Sequence, residues 1–329
     1  MRRRRFGRTG IEVSALTFGC GYVGGILLHT DEETRLEALR RAIGAGCNLL
    51  DTAGDYGDGE SEKTLGRLLP HLSPRPHVAT KVRLDVAELA RAGGDASDPI
   101  RRSLETSLER LKLDRVTLLQ LHNPVTSERS ARTLTPADVL RPNGIADIFD
   151  GLRAEGLVAH VGLTALGDRA SIVDVIASGR MDTAQIYYNM LNPSAGGVHV
   201  PAWGGHDLTG VLDACATQDM GTMNIRVLAA GVLATTRRHG RENAVTEDAE
   251  MAQEQDRAER LFAVLGDRYG TRAQTALRFA LAEDRLSTVV VGFAELAHLD
   301  EAIAAFETGP LPGEALDLVA GLQANGQAI

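Results

Sequence analysis

The chain is poor in several residue types that define specialised protein classes. Among its 329 residues there are 3 cysteines, 1 tryptophan and 11 prolines, and aromatic residues make up 4%. Cys20, Cys47 and Cys215 are widely spaced and form no C-x-x-C pair. This pattern argues against a disulfide framework or a zinc site, and it favours reduced thiols in a cytoplasmic protein. The few prolines argue against long stiff linkers.

Long apolar runs and an excess of positive charge are also missing. No apolar stretch approaches the about 20 residues that a membrane span needs, and no apolar segment follows the first arginines as it would in a signal peptide. Lys and Arg number 35 against 44 Asp and Glu, and the net charge is −9. The one basic run, at 2–5, is interpreted as a solvated face. We therefore expect a cytoplasmic protein with no membrane or nucleic-acid partner.

Eight apolar strands alternate with amphipathic helices along the chain. Such runs of Val, Ile and Leu are typical of parallel strands covered by helices, and eight βα units favour a closed (β/α)₈ TIM barrel. An N-terminal β-hairpin is predicted over 6–13, and Thr30 with Glu33 predicts the cap of the first long helix. No composition break marks a linker, so a single domain over 1–329 is expected. The predicted strands are 16–18, 47–51, 77–81, 116–121, 158–163, 183–188, 223–228 and 287–291.

Three long connections follow predicted strands, at 123–143, 189–205 and 231–250. A connection that follows a strand lies at the C-terminal face of a barrel, where barrel enzymes carry their active sites. We therefore expect long loops around the C-terminal rim.

The first glycine cluster offers a different interpretation. Gly19, Gly21 and Gly24 match G-x-G-x-x-G after a strand, and Asp51 closes the next strand, as in a dinucleotide-binding Rossmann fold. In that fold the motif must itself open a helix, whereas here the predicted cap lies further on, at Thr30. We therefore interpret these glycines as rim positions where the backbone passes close to a ligand.

Four polar residues stand at or just after consecutive strand ends. Asp51, Lys81 and His122 close the second, third and fourth strands, and Tyr56 follows the second. Parallel strands of a barrel bring their carboxyl ends to one rim, so these side chains should converge. There an ammonium would lower the pKa of a tyrosine, and a histidine would orient a carbonyl oxygen. The nine histidines show no metal-ligand spacing, so no metal is expected.

These motifs resemble the aldo-keto reductase family over nearly the whole chain. The resemblance rests on residues 6–14, 48–57, Glu60, 65–66, 80–82 and 118–124. It implies a nicotinamide-dependent oxidoreductase that interconverts a carbonyl and an alcohol. Tyr56 would donate or accept the proton, and Lys81 would modulate the pKa of Tyr56. Asp51 would hold Lys81, and His122 would orient the carbonyl.

The resemblance also implies residues that hold the cofactor at the rim. Thr164 and Gln185 would bind the nicotinamide carboxamide, and Ile225 stands where an aromatic ring usually stacks on the nicotinamide. No Lys or Arg follows the eighth strand, where Glu295 stands, and this favours NAD over NADP because a 2′-phosphate binds Arg or Lys. The segment from Leu228 to Gly231 resembles the loop that binds the pyrophosphate, and Gly292, His298 and Glu301 stand where the family holds the adenosine half. Gly19 and Cys20 are the other implied cofactor residues.

The substrate is expected to be a small carbonyl compound or alcohol, with Tyr22 and Trp203 lining the pocket. The first loop and residues 189–193 are similar to the branch of the family that oxidises sugars and pyridoxal. A monomer or a small homo-oligomer is expected. Ala165 and Ile225 depart from the family pattern, so a second hypothesis stays open, a regulatory or redox-sensing barrel that binds the cofactor without turnover. A barrel hydrolase would need a metal or paired carboxylates, and neither pattern is visible.

Overall fold

The computed structural model describes residues 1–197, 205–237, 240 and 251–324. The strands are β1 (Arg3–Arg5), β2 (Glu12–Ser14), β3 (Leu16–Gly19), β4 (Leu49–Asp51), β5 (His77–Val82), β6 (Val116–Leu121), β7 (Val158–Ala165), β8 (Thr183–Tyr187), β9 (Gly221–Ile225) and β10 (Thr288–Gly292). The α-helices are α1 (Ile26–His29), α2 (Glu32–Gly44), α3 (Glu60–Leu68), α4 (Val86–Arg91), α5 (Ser97–Leu111), α6 (Pro136–Leu140), α7 (Ile145–Ala154), α8 (Arg169–Ala177), α9 (Val211–Thr217), α10 (Met251–Leu265), α11 (Arg272–Leu281), α12 (Leu296–Thr308) and α13 (Gly313–Ala324).

Eight parallel strands form a closed barrel in the order β10-β3-β4-β5-β6-β7-β8-β9. Closure is made by β10, which pairs with β3 on one side and with β9 on the other. At least one helix lies between each pair of consecutive barrel strands. The predicted (β/α)₈ barrel is therefore confirmed, and the carboxyl ends of β4, β5 and β6 lie side by side at one rim.

Apolar side chains fill two separate layers. The larger layer lies between the strands and the helices and includes Leu16 and Phe18, which are fully buried. A smaller cluster consists of Phe6, Val13, Leu49, Ala79, Leu118 and Met223. In this cluster Phe6 and Val13 belong to the N-terminal hairpin and the other four to barrel strands. No helix among the described residues is both long enough and apolar enough to cross a membrane.

The N-terminal hairpin pairs β1 with β2 and is anchored by the basic run. The two strands lie at 3–5 and 12–14, so most of the predicted 6–13 segment is the connection between them. The side chain of Arg4 is 11% exposed, and it donates to the carbonyls of Leu286 at 2.6 Å and Leu281 at 2.7 Å. Treating residues 2–5 as a solvated face was therefore wrong for Arg4. The run is a strand, and its alternate side chains point to opposite faces.

Asp31, and not Thr30, caps the first long helix. The Asp31 side chain accepts a hydrogen bond from the Thr34 amide at 2.8 Å and so satisfies a free donor at the start of α2. Thr30 instead ends α1, where its hydroxyl donates to the Ile26 carbonyl at 2.7 Å. The predicted cap was wrong by one residue because the short helix before it occupies Thr30.

The first glycine cluster packs protein backbone against protein backbone. A Cβ atom on Gly24 would lie 2.4 Å from the Phe293 amide nitrogen and 2.6 Å from the Gly292 carbonyl carbon. Gly24 is therefore required by the contact between the loop after β3 and the loop after β10. β3 belongs to the closed barrel, so the Rossmann alternative is excluded.

Candidate active site

Lys81 lies at the centre of a polar cluster at the C-terminal rim. Its Nζ donates to Asp51 Oδ2 at 2.8 Å, to the Thr52 carbonyl at 2.8 Å and to Tyr56 Oη at 3.2 Å. The side chains of Lys81 and Asp51 are 0% and 4% exposed, so solvent screens this ion pair weakly. The structure thus brings three of the four predicted catalytic residues into hydrogen-bond contact.

Neighbouring strands and one tight turn position these side chains. Lys81 lies near the end of β5, and His122 directly follows β6. Tyr56 lies in the turn between β4 and α3, which ends at Gly59 with a left-handed φ of +86°. A Cβ atom on Gly59 would lie 2.4 Å from Arg110 Cζ. Glycine therefore lets the turn that carries Tyr56 pack directly on Arg110.

Burial and neighbouring charges shift the pKa values of Tyr56 and Lys81 in opposite directions. Burial raises the pKa of Tyr56, and the Lys81 ammonium offsets only part of that effect, so the net pKa lies above the ordinary value of 10. The effect of Lys81 itself has the expected direction, since its ammonium lowers the pKa of Tyr56, but burial of the phenol outweighs it. Burial lowers the pKa of Lys81, but the charges and hydrogen bonds of Asp51 and Tyr56 together outweigh burial, and the pKa of Lys81 is raised. At neutral pH the site holds a phenol beside an ammonium.

His122 completes the cluster as a neutral imidazole. Its ring meets the Tyr56 ring edge-on, with centroids 6.0 Å apart. Burial lowers the pKa of His122, and Asp55 offsets only part of that effect. The His122 Nδ1 lies 3.3 Å from Asp55 Oδ2, outside hydrogen-bond geometry. Arg83 Nε donates to the same Asp55 oxygen at 2.8 Å.

Two side-chain amides hold the second oxygen of Asp51. Gln185 Nε2 donates to Asp51 Oδ1 at 2.8 Å, and Gln120 Nε2 donates to it at 3.2 Å. Thr164 lies opposite Gln185 in the pairing of β7 with β8. The Thr164 hydroxyl and Gln120 Oε1 are buried without a hydrogen-bond partner in the described residues. Unpaired buried polar atoms are costly, so their presence beside Gln185 fits a ligand that carries an amide.

The loop after β9 has strained backbone where a pyrophosphate was predicted to bind. Leu228 and Gly231 flank Ala229 and Ala230, which adopt φ values of +45° and +55°. Non-glycine residues rarely adopt left-handed φ values, and such strain concentrates at functional sites. Ile225 ends β9 directly before this loop. The amides of Ala229 and Gly231 donate to the carbonyls of Arg226 and Leu228, so the pyrophosphate-binding role of this loop stays a prediction.

Sequence reasoning missed a buried glutamate behind the tyrosine turn. Glu62 is fully buried, accepts from Thr80 Oγ1 at 2.6 Å and pairs with Arg110 Nη1 at 3.3 Å. The family resemblance was instead assigned to Glu60, which is exposed and pairs with Lys63 at 2.6 Å. Both glutamates lie in the first turn of α3. Only the position of the helix start shows which of them faces the barrel.

The predicted residues of the first rim loop lie at different depths. Gly19 is the last residue of β3, and a Cβ atom there would lie 3.0 Å from the Val291 carbonyl oxygen. The thiol of Cys20 is buried, which raises its pKa. Tyr22 is 44% exposed, and its ring meets the His29 ring edge-on at 5.4 Å. Their predicted ligand contacts stay predictions.

The remaining predicted residues lie around β10 and α12. Gly292 ends β10, and His298 and Glu301 lie on α12. The Thr271 hydroxyl donates to the Glu301 carboxylate, so this glutamate connects α12 to the cap of α11. Trp203 lies outside the described residues. Among the residues that the structure describes, no group of three or more His, Cys, Asp or Glu side chains has the arrangement of a metal site.

The chain is similar in sequence and fold to several known proteins. A model of the Aldo/keto reductase family matches residues 15–324. L-galactose dehydrogenase of Arabidopsis thaliana is 27% identical over 312 residues, which cover 92% of this chain and 87% of that protein. D-threo-aldose 1-dehydrogenase of Pseudomonas sp is 28% identical over 319 residues, 89% of each chain. The holo form of aldo-keto reductase AKR11C1 from Bacillus halodurans has the same fold, with a TM-score of 0.75 at 22% identity over 98% of this chain and 96% of that one.

Proposed function

Because this chain belongs to the aldo/keto reductase family, we propose that it is a nicotinamide-dependent oxidoreductase that interconverts a carbonyl and an alcohol. The observation that carries the proposal is the hydrogen-bonded set of Tyr56, Lys81 and Asp51 beside a neutral His122. We further propose that the whole chain forms a single cytoplasmic barrel, as a monomer or a small homo-oligomer.

The proton chemistry follows from the charges of the site. Because the pKa of Tyr56 lies above its ordinary value, the phenol is protonated at neutral pH and suits donation to a carbonyl oxygen in the reductive direction. The charged Lys81 stabilises the phenolate that donation leaves behind. Asp51 keeps Lys81 charged and in place, and the two amides on Asp51 fix that carboxylate in turn. His122 orients the carbonyl oxygen between itself and Tyr56.

We propose that the cofactor lies along the rim. A bound nicotinamide supplies or accepts the hydride that the substrate carbon exchanges. Thr164 and Gln185 would hold its carboxamide, and the loop from Leu228 to Gly231 would hold its pyrophosphate. The adenosine half would contact Gly19, Cys20, Gly292, His298 and Glu301, while Ile225 would lie against the nicotinamide ring. Glu295 directly precedes α12 and would repel a 2′-phosphate, which favours NAD over NADP.

The names of two relatives point to hydroxyl-rich substrates. L-galactose dehydrogenase and D-threo-aldose 1-dehydrogenase are each named for sugar oxidation, and each is matched over most of its length. We propose a small carbonyl compound or alcohol as substrate, with sugars the first class to test. Tyr22 and Trp203 would line its pocket.

One observation favours a second function. Ile225 cannot stack on a nicotinamide ring as an aromatic side chain does, so a barrel that binds the cofactor and senses its redox state stays a candidate. Such a barrel would have no need of the Tyr56–Lys81 pair, and this pair is why we prefer the enzyme.

Steady-state turnover tests the two functions directly. The protein is assayed with NAD, NADP and their reduced forms across aldoses, pyridoxal and simple aldehydes, and cofactor binding is titrated by fluorescence. The enzyme predicts turnover with at least one pair, and faster turnover with NAD. Tight cofactor binding with no turnover on any compound would support the sensor and reject the enzyme.

A further inference from the structure

A buried ion pair joins α3 to α5 directly behind the turn that carries Tyr56. The side chain of Glu62, in the first turn of α3, is 0% exposed, and its Oε2 lies 3.3 Å from Arg110 Nη1. Arg110 lies in the last turn of α5. There the two helices approach so closely that Gly66 of α3 has no room for a side chain beside the Arg110 carbonyl. The guanidinium therefore extends from a fixed point of the backbone.

The carboxylate of this pair also holds the strand that carries Lys81. Its other oxygen, Glu62 Oε1, accepts a hydrogen bond from Thr80 Oγ1 at 2.6 Å. Thr80 directly precedes Lys81 in β5, and successive side chains of a strand point to opposite faces. Glu62 therefore holds β5 on the face opposite to Lys81, one residue away from the ammonium.

The guanidinium of the pair holds the turn that carries Tyr56. Arg110 Nη1 donates to the Gly54 carbonyl at 3.4 Å, before Tyr56 in the chain. On the other side of Tyr56 the guanidinium packs on Gly59, where a Cβ atom would collide with Arg110 Cζ. The turn is thus contacted both before and after the residue whose phenol faces Lys81.

We propose that Glu62 and Arg110 are positioning residues, which together hold the phenol of this turn at its distance from the ammonium. That distance, from Tyr56 Oη to Lys81 Nζ, is 3.2 Å. The inference rests on the proposed function and adds to it two residues that act through the turn and the strand. A guanidinium suits the role because its planar set of donors can hold a carboxylate and a carbonyl at once. The attraction between an ammonium and a phenolate falls as their distance grows, so a looser turn would stabilise the phenolate less.

The kinetics of Arg110→Met give the first test, on the best substrate of the turnover assay. We expect kcat to fall about ten- to a hundredfold, because a misplacement of about 1 Å can cost about 10²-fold, while the Kd for NADH stays nearly unchanged. Arg110→Lys keeps a charge beside Glu62 and should recover part of kcat. A buried carboxylate without its partner destabilises the fold, so the double variant Glu62→Gln/Arg110→Met is measured as well and should show the same loss of kcat.

The pH profile separates positioning from stability. Oxidation of an alcohol needs Tyr56 as a phenolate, so its rate rises with pH as the phenol loses its proton. The charge of Lys81 lowers the pKa of Tyr56, whereas the charges of Asp51 and Asp55 raise it. A longer distance to Lys81 weakens the lowering, so the midpoint of the profile should move to higher pH in Arg110→Met. A loss of stability alone would reduce the folded fraction and leave the midpoint where it is.

Arg101 provides a matched control on the same helix. Its Nη1 donates to Glu155 Oε2 at 2.8 Å, and both side chains are exposed. Arg101→Met removes this ion pair about two and a half turns before Arg110, and it should keep the kcat and the midpoint of the wild type. The proposal is overturned by an unchanged kcat or an unchanged midpoint in folded Arg110→Met, and also by equal changes in the control.

Failure of the proposed function gives a different result. If the wild type turns over no compound with either cofactor, the oxidoreductase proposal fails. The phenol is then followed by NMR titration of isotope-labelled tyrosine, with the Tyr56 signal assigned by Tyr56→Phe. A higher pKa of Tyr56 in Arg110→Met but not in Arg101→Met supports the positioning role in a silent barrel. Equal pKa values of Tyr56 in the wild type and in Arg110→Met reject it.

Discussion

At the N-terminal end of the barrel, Arg4 and Arg8 donate mainly to main-chain carbonyls, whereas at the C-terminal rim Lys81 is held by a carboxylate and a phenol. Arg4 donates to the carbonyls of Leu281 and Leu286, and Arg8 donates to those of Gln218 and Gly179. Lys81 instead contacts Tyr56, a group that can gain or lose a proton. The first arrangement ties chain segments together, and the second places a fixed charge beside a reactive hydroxyl.

Two unpaired buried oxygens and two residues with strained backbone also lie at the rim. Thr164 and Gln120 keep buried oxygens without partners in the described residues, and Ala229 and Ala230 keep left-handed backbone. Such features cost folding free energy and are retained where a ligand can satisfy them. We therefore propose that the N-terminal end of the barrel serves stability and that the C-terminal rim serves binding and chemistry, as in barrels generally.

Removing the rim cation should have the largest effect on turnover. Lys81→Met takes away the charge that stabilises the phenolate of Tyr56, and kcat/KM should fall by about 10²–10⁴-fold, the range of general acid–base catalysis. It also leaves Asp51 buried and unpaired, at a cost of about 3–5 kcal/mol in unfolding free energy. The double variant Asp51→Asn/Lys81→Met should regain stability in urea unfolding but not activity. Full turnover by Lys81→Met would contradict this assignment.

Removing a cation at the opposite end should affect stability alone. Arg4→Met leaves main-chain carbonyls without their donor, and the unfolding free energy should fall by about 1–3 kcal/mol in urea titrations. The kcat of the folded fraction should not change. Arg3→Met is the matched control, since Arg3 lies on the exposed face of the same strand. A loss of kcat in Arg4→Met at temperatures where it is folded would break the division between the two ends.

The smallest expected effect is on cofactor binding, and it is tested at two hydroxyls that have no hydrogen-bond partner in the part of the chain that the structure describes. Thr164 lies at the rim end of its strand, and Thr183 begins β8 at the other end of the barrel. Thr164→Val should weaken NADH binding by about 1 kcal/mol without lowering the stability of the free protein, because its hydroxyl has no partner to lose. Thr183→Val should leave the Kd unchanged. Equal effects of the two variants on the Kd would remove Thr164 from the cofactor site.

The sequence was sufficient for the barrel and for the residues that converge at its rim. Local patterning predicts apolar strands that end in Asp51, Lys81 and His122, and parallel pairing brings these ends to one rim. Local patterning could not choose between Thr30 and Asp31 as a cap, because both residue types cap helices and α1 decides the matter. It could not separate Glu60 from Glu62 either, since their faces depend on where α3 begins.

The direction of the net pKa shift of Tyr56 could not be predicted from the sequence for a different reason. Adjacency to Lys81 is a matter of topology, but the net pKa depends on how deeply the phenol is buried, and burial prevails.

The most direct test of the central claim, that Tyr56 is the proton donor, is turnover by Tyr56→Phe against a matched hydroxyl deletion. Tyr188→Phe is that control, because Tyr188 stacks on Phe279 of α11 at 5.4 Å. On the substrate found in the panel, Tyr56→Phe should lose about 10²–10⁴-fold in kcat with nearly unchanged NADH binding, while Tyr188→Phe keeps its rate. Turnover by Tyr56→Phe at the wild-type rate would contradict the account.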